Sequence, residues 1–286
     1  MYEAFFGLSE KPFSILPDPK FLFFSPHHRI AYAMLEYGVI NQAGFTIITG
    51  AIGSGKTTLV RKLVDSLKDE VVLAVINNTS QNPGGLLEWI MMAFDQPFEN
   101  RAYTRLFKDF QQFLSGVLAA GKRAVLVIDE AQNLDPELLE ELRMLSNVNI
   151  DTMLLQLILV GQPELRDMLR APELVQFAQR VSSDYHLLPL RAKDAIGYID
   201  HRLMIVGGRP ELFTRAAKML IHEASEGVPR TINILADRCL VYAFGAGKKE
   251  VRKTIARAVI TDIQQYGITL PLSQTSFSRP IRDRSV

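Results

Sequence analysis

The 286-residue chain has a single cysteine, Cys239, so no disulfide can form within it. A fold without such staples suits a reducing compartment. It also lacks any apolar run near the roughly 18 residues that a membrane-spanning helix requires. Its apolar stretches, such as residues 71–76, 124–128 and the 154–160 segment that contains Gln156, have the length of strands. At the N-terminus, Glu3 and the Glu10-Lys11-Pro12 break leave neither a basic start nor the apolar segment of an export signal. These absences predict a cytoplasmic chain with no transmembrane span of its own. Charge of one sign is missing too: 32 Lys and Arg oppose 31 Asp and Glu, a net charge of +1. No global field gathers nucleic acid or acidic lipid, so any polyanion site must be local. What is present is an ordinary globular composition, 48% hydrophobic and 22% charged, long enough for two domains.

Residues 1–28 are rich in Phe and Pro without a sustained period, which predicts an extended arm packed on the main domain. Residues 29–190 alternate helical and strand patterns. Short apolar runs over 45–49, 71–76, 124–128 and 154–160 predict strands, and residues 28–41, 84–94, 105–120 and 136–145 predict helices. Asp135 is a ready N-cap before Pro136. Strands alternating with helices imply right-handed crossovers and a mostly parallel sheet covered on both faces. Beyond Pro189, residues 193–206, 215–225, 229–244 and 253–266 all have helical spacing, so 191–267 reads as a small all-α lid. The Ser, Pro and Arg-rich stretch 268–286 reads as a mobile tail.

The chemistry is concentrated in Gly50-x-x-x-x-Gly55-Lys56-Thr57, placed between a predicted strand and a predicted helix. That context makes it a phosphate-binding loop. Gly50, Gly53, Ser54, Gly55 and Thr58 belong to the loop and the first turn of the helix, where backbone N–H groups and the macrodipole favour an anion. Lys56 adds positive charge for the β- and γ-phosphates, and Thr57 offers a hydroxyl to Mg2+, a hard cation. ATP and Mg2+ are the cofactors this pattern predicts. Downstream, the apolar strand at 124–128 ends in Asp129-Glu130, at the carboxyl edge where open parallel sheets bind ligands. Asp129 is placed to hold magnesium and Glu130 to act as general base. Gln162 ends the next strand and can reach the γ-phosphate and attacking water. Arg180, Arg230 and Arg143 are candidates to neutralise transition-state charge, one of them in trans.

Together, the Walker A loop at 50–57, Walker B at 125–130, a polar sensor at Gln162 and Gly227-x-Pro-Arg230 resemble the P-loop AAA+ ATPases. The stretches Lys11-Pro-Phe13, Pro17-Asp-Pro-x-Phe21, Ser25-x-x-His28, Asp129-Glu-Ala-Gln-Asn133, Leu142-Arg-Met-Leu-Ser-Asn147 and Gly161-Gln-Pro-Glu164 narrow the likeness to the ExeA-type family, general secretion pathway protein A. That likeness covers about residues 1–265 and includes ATPases of exosortase and polysaccharide-export clusters. More distantly it reaches the transposition ATPases of the TniB and MuB kind. It implies an ATPase that assembles into a homo-oligomer, a ring or a filament, and acts on an inner-membrane or export-machinery partner, so the chain is expected to be peripheral at the inner membrane through that partner. It also implies that His28 and the arm lie near the adenine. The secretion members carry a membrane span and a periplasmic region, and neither is expected within these 286 residues. The alternative is an ATP-dependent DNA-binding regulator that recruits a transposase, with Lys248, Lys249, Arg252, Lys253 and Arg257 as its basic cluster.

Overall fold

A computed structural model of the chain describes residues 1–41, 44–67, 69–77, 85–146 and 154–267. The tail expected at 268–286 and Asn147 lie outside them. In chain order the helices are α1 (Glu3–Phe6), α2 (Pro26–Ile40), α3 (Lys56–Leu67), α4 (Leu86–Ala93), α5 (Tyr103–Ala119), α6 (Pro136–Ser146), α7 (Pro163–Leu169), α8 (Val175–Ala178), α9 (Ala192–Ile205), α10 (Arg215–Ser225), α11 (Pro229–Gly245) and α12 (Lys253–Tyr266). The strands are β1 (Phe45–Gly50), β2 (Val71–Ile76), β3 (Arg123–Ile128), β4 (Leu155–Gly161) and β5 (Val181–Leu187). Two compact units result: Phe24–Leu188, and Met1–Phe23 with Pro189–Val286.

The first unit is a five-stranded sheet ordered β2-β3-β4-β1-β5, parallel throughout. Every residue of the central strands β1 and β4 is buried, because a parallel sheet covered on both faces leaves neither alternate set to water. Phe45, Ile47, Leu126, Leu157 and Leu159 enter the core shared with α4 to α8. The opposite set, Ile48, Ile158 and Val160, is equally buried, on the face that α2 and α3 cover. Asp135 caps α6 as expected, its carboxylate accepting from the Leu138 amide at 2.8 Å.

The sequence assigns no element to β5. As an edge strand it mixes Ser182, Asp184 and His186 with apolar positions and is only partly buried, so it carries no continuous apolar run.

The second unit is helical. Arm residues Tyr2, Leu8, Phe13 and Phe21 share one core with α9 to α12. This differs from the arm packed on the α/β domain that the sequence suggests. The aromatic side chains find their apolar partners in the helices, and a buried arginine fixes the backbone. Arg202 of α9 donates through Nε to the Pro12 carbonyl at 2.5 Å and through a terminal nitrogen to that of Ser14 at 3.2 Å. Its guanidinium lies 4.5 Å from the centre of the Phe21 ring, a favourable cation–π position. Gly227, at φ 74°, shows why a glycine precedes Val228-Pro-Arg230: a Cβ there would come within 2.1 Å of the Leu190 carbonyl oxygen. Pro229 then opens α11 at a first-turn position where its missing N–H costs nothing.

Candidate active site

The glycine-rich loop predicted to bind phosphate connects β1 to α3, within the α/β unit. Gly53 and Gly55 have φ of 78° and 102°, the left-handed region that an L side chain avoids. Gly50 is held by space rather than dihedral, since a Cβ would come 2.8 Å from the Leu187 carbonyl. Lys56 opens α3 and is only 7% exposed. Its ammonium donates to the Gly50 carbonyl at 2.8 Å and the Ala51 carbonyl at 3.1 Å. Burial pulls its pKa below the ordinary lysine value, opposed by the charges of Glu130, Asp129 and Glu164.

His28 lies beneath this loop, 4% exposed. Its Nδ1 is 2.7 Å from the Ser25 hydroxyl and its Nε2 is 3.1 Å from the Ser54 carbonyl. A carbonyl only accepts, so Nε2 carries the proton and Nδ1 accepts from Ser25. Ser25 in turn N-caps α2. Both ring nitrogens are thus engaged with protein, and the ring supports loop backbone. A Cβ on Gly55 would lie 3.2 Å from Nε2, so the glycine leaves room for the ring.

The Thr57 hydroxyl, in the first turn of α3, donates to Oδ2 of Asp129, which follows β3, at 2.7 Å. Asp129 Oδ1 accepts the Glu130 amide at 3.0 Å. A hydroxyl and a carboxylate oxygen side by side form a hard-oxygen pair that fits Mg2+, which keeps several waters and needs few protein donors. Glu130 adopts φ 54°, ψ 38°, a left-handed conformation that costs a non-glycine residue about 1–2 kcal/mol. Strain of this kind is concentrated at functional sites. Glu130 Oε2 accepts from the side-chain amides of Gln132 at 2.6 Å and Gln162 at 3.1 Å. Burial raises the Glu130 pKa, but the two amides and Lys56 outweigh it and hold the carboxyl below its usual value. Glu130 is therefore ionised at neutral pH.

Gln162 also begins α7, where Pro163 takes the first helical position. The sequence signal for Gln132 is only its place in Asp129-Glu-Ala-Gln-Asn133. His186 at the end of β5 shares a 2.9 Å hydrogen bond with Thr49, directly before the loop. Burial, then the charges of Arg166 and Lys56, lower its pKa.

The structure thus brings together Gly50, Ser54, Gly55, Lys56, Thr57, His28, Asp129, Glu130 and Gln162. Thr58 follows in the first turn of α3. The arginines differ. Arg143 pairs with Glu140 within α6 at 2.7 Å. Arg180 is exposed at the start of β5, with one long contact of 3.4 Å to the Ser146 hydroxyl. Arg230 is exposed in the first turn of α11, in the helical unit.

Residues 40–169 match the family model described as an AAA domain. Over 253 residues, 88% of its length, the chain is 45% identical to general secretion pathway protein A of Aeromonas hydrophila. The chain therefore carries an AAA domain and is similar over most of its length to general secretion pathway protein A. It spans 46% of that relative's length. Among solved structures, the Aeropyrum pernix ORC1 protein in complex with DNA is similar with a TM-score of 0.64 at 16% identity, covering 90% of this chain and 70% of that one. The Thermotoga maritima RuvB Holliday junction branch migration motor is similar with a TM-score of 0.56 at 18% identity, covering 89% and 76%. Both share the P-loop ATPase fold. Among the described residues no helix is long and apolar enough to cross a membrane.

Proposed function

We propose that the protein binds and hydrolyses Mg-ATP and uses the cycle to assemble into an oligomer that acts on a partner in envelope export. One observation carries the reading. Lys56, the Thr57–Asp129 pair and the Glu130–Gln162 pair converge at the carboxyl edge of a parallel sheet, each held by contacts of its own. Thr57 and Asp129 would hold Mg2+, which when bound neutralises phosphate charge. Lys56 and the loop amides orient the β- and γ-phosphates. Glu130 accepts a proton from water as its oxygen bonds to the γ-phosphorus. The bond from that phosphorus to the β–γ bridging oxygen breaks, leaving ADP and phosphate. Gln162 orients the water, and Arg230 or Arg180 neutralises charge on the γ-phosphoryl group, Arg180 from a neighbouring subunit.

The 45% identity with general secretion pathway protein A supports the export setting, and a peripheral place at the inner membrane through the partner is part of the same proposal. The DNA-regulator reading leans on a basic cluster that is partly engaged within the fold. Lys249 donates to the Phe5 carbonyl at 2.8 Å, and Arg252 pairs with Glu250. Co-purification with an inner-membrane partner that is lost in Lys56→Ala is the expected result. Salt-sensitive, ATP-dependent duplex binding with no such partner would favour the DNA regulator.

A further inference from the structure

Glu130, Gln162 and Gln132 form a closed hydrogen-bonded ring. The Gln132 amide nitrogen donates to Glu130 Oε2 at 2.6 Å, and its carbonyl oxygen accepts the Gln162 backbone N–H at 2.9 Å. The Gln162 side-chain amide closes the ring on the same Oε2 at 3.1 Å. An amide has one accepting and one donating end. A backbone N–H fixes the accepting end here, so the donating end must face the carboxylate. Both donors converge on Oε2, and Oε1 has no protein partner among the described residues.

The surroundings keep this arrangement in place. Glu130 turns left-handed into the short 3-10 turn Ala131–Asn133, and Ala131 is fully buried. A Cβ at Gly161 would come 3.1 Å from the Gln132 carbonyl oxygen and 2.6 Å from Leu165. The glycine at the tip of β4 therefore leaves room for the amide that bonds to the next residue.

We propose that Gln132 is a positioning residue: it locks Glu130 and the tip of β4 into one unit, so that Oε1 alone meets the attacking water and any movement of Gln162 is passed to the base. This rests on the ATPase reading above. The alternative is that Gln132 only holds its own turn.

The test uses the full chain with Gln132→Ala, Gln162→Ala and the double variant. Gln132→Met, which keeps the volume and removes both amide ends, replaces the alanine if that variant does not fold. Steady-state Mg-ATP hydrolysis is paired with ATP affinity by calorimetry, and a crystal structure of the Gln132 variant is determined. The expected result is a kcat at least about tenfold lower, as small misplacements of catalytic groups produce, with Kd within about twofold. The double variant should fall no more than about twofold below the weaker single, because neighbours acting as one unit are not additive. In the crystal, the Glu130 carboxylate should leave its position. Unchanged kcat, equal losses in kcat and affinity, multiplicative single effects, or an unmoved Glu130 would overturn the proposal. A wild-type protein without turnover would instead defeat the ATPase reading, and the crystal structure would still decide the role of Gln132.

Discussion

Lys56 and His28 both serve the loop, in different ways. In the proposed function Lys56 presents a buried charge to phosphate, so its removal would leave the phosphate charge unmatched. Lys56→Ala should cost about 2–5 kcal/mol of nucleotide binding, the usual range for one partner of a buried charge pair. Calorimetric titration with ATP checks it. His28 instead satisfies the Ser54 carbonyl. Leaving a buried acceptor unpaired costs about 1–3 kcal/mol, so His28→Ala should lower the melting temperature and weaken ATP and GTP by a similar factor. A base contact, as the family likeness implies for His28, would weaken ATP alone. Parallel titrations with the two nucleotides separate these outcomes. The loop residues and Asp129-Glu130 were legible in the sequence because their spacing reports a local backbone shape. Gln132 was not, since its meaning lies in the amide of Gln162, 30 positions on.

Elements were legible in proportion to how far burial dictated their residues. Strands β1, β3 and β4 are almost wholly buried and read as largely apolar runs, whereas β5 is only partly buried and mixes polar with apolar residues. The α7 helix escaped for another reason. Its 7 residues span only about two turns, too few to show a helical period, although proline directly after a strand end is a helix-start signal. The arm's partner lay beyond any local pattern, because Arg202 bonds to residues 190 and 188 positions away. Charged hydrogen bonds of this kind contribute about 1.5–3 kcal/mol each. Arg202→Ala should therefore loosen residues 1–23, seen as faster cleavage within them under limited proteolysis. Cleavage at the wild-type rate would show that the aromatic packing alone holds the arm.

At the scale of the whole molecule, the chain forms two units, each with a hydrophobic core of its own. The net charge of +1 gives DNA little general attraction, and part of the local basic cluster is spent on Phe5 and Glu250. The expected oligomer should be trapped by a variant that binds ATP and cannot turn it over, which sedimentation with and without ATP reports. The same variant tests the central claim. In Glu130→Gln the carboxylate proposed to take the proton is gone, while Lys56 and the Thr57–Asp129 pair remain. Phosphate release measured under saturating Mg-ATP should fall by about 10²–10⁴-fold, the contribution of a general base, with ATP affinity retained. Turnover at the wild-type rate would contradict the account.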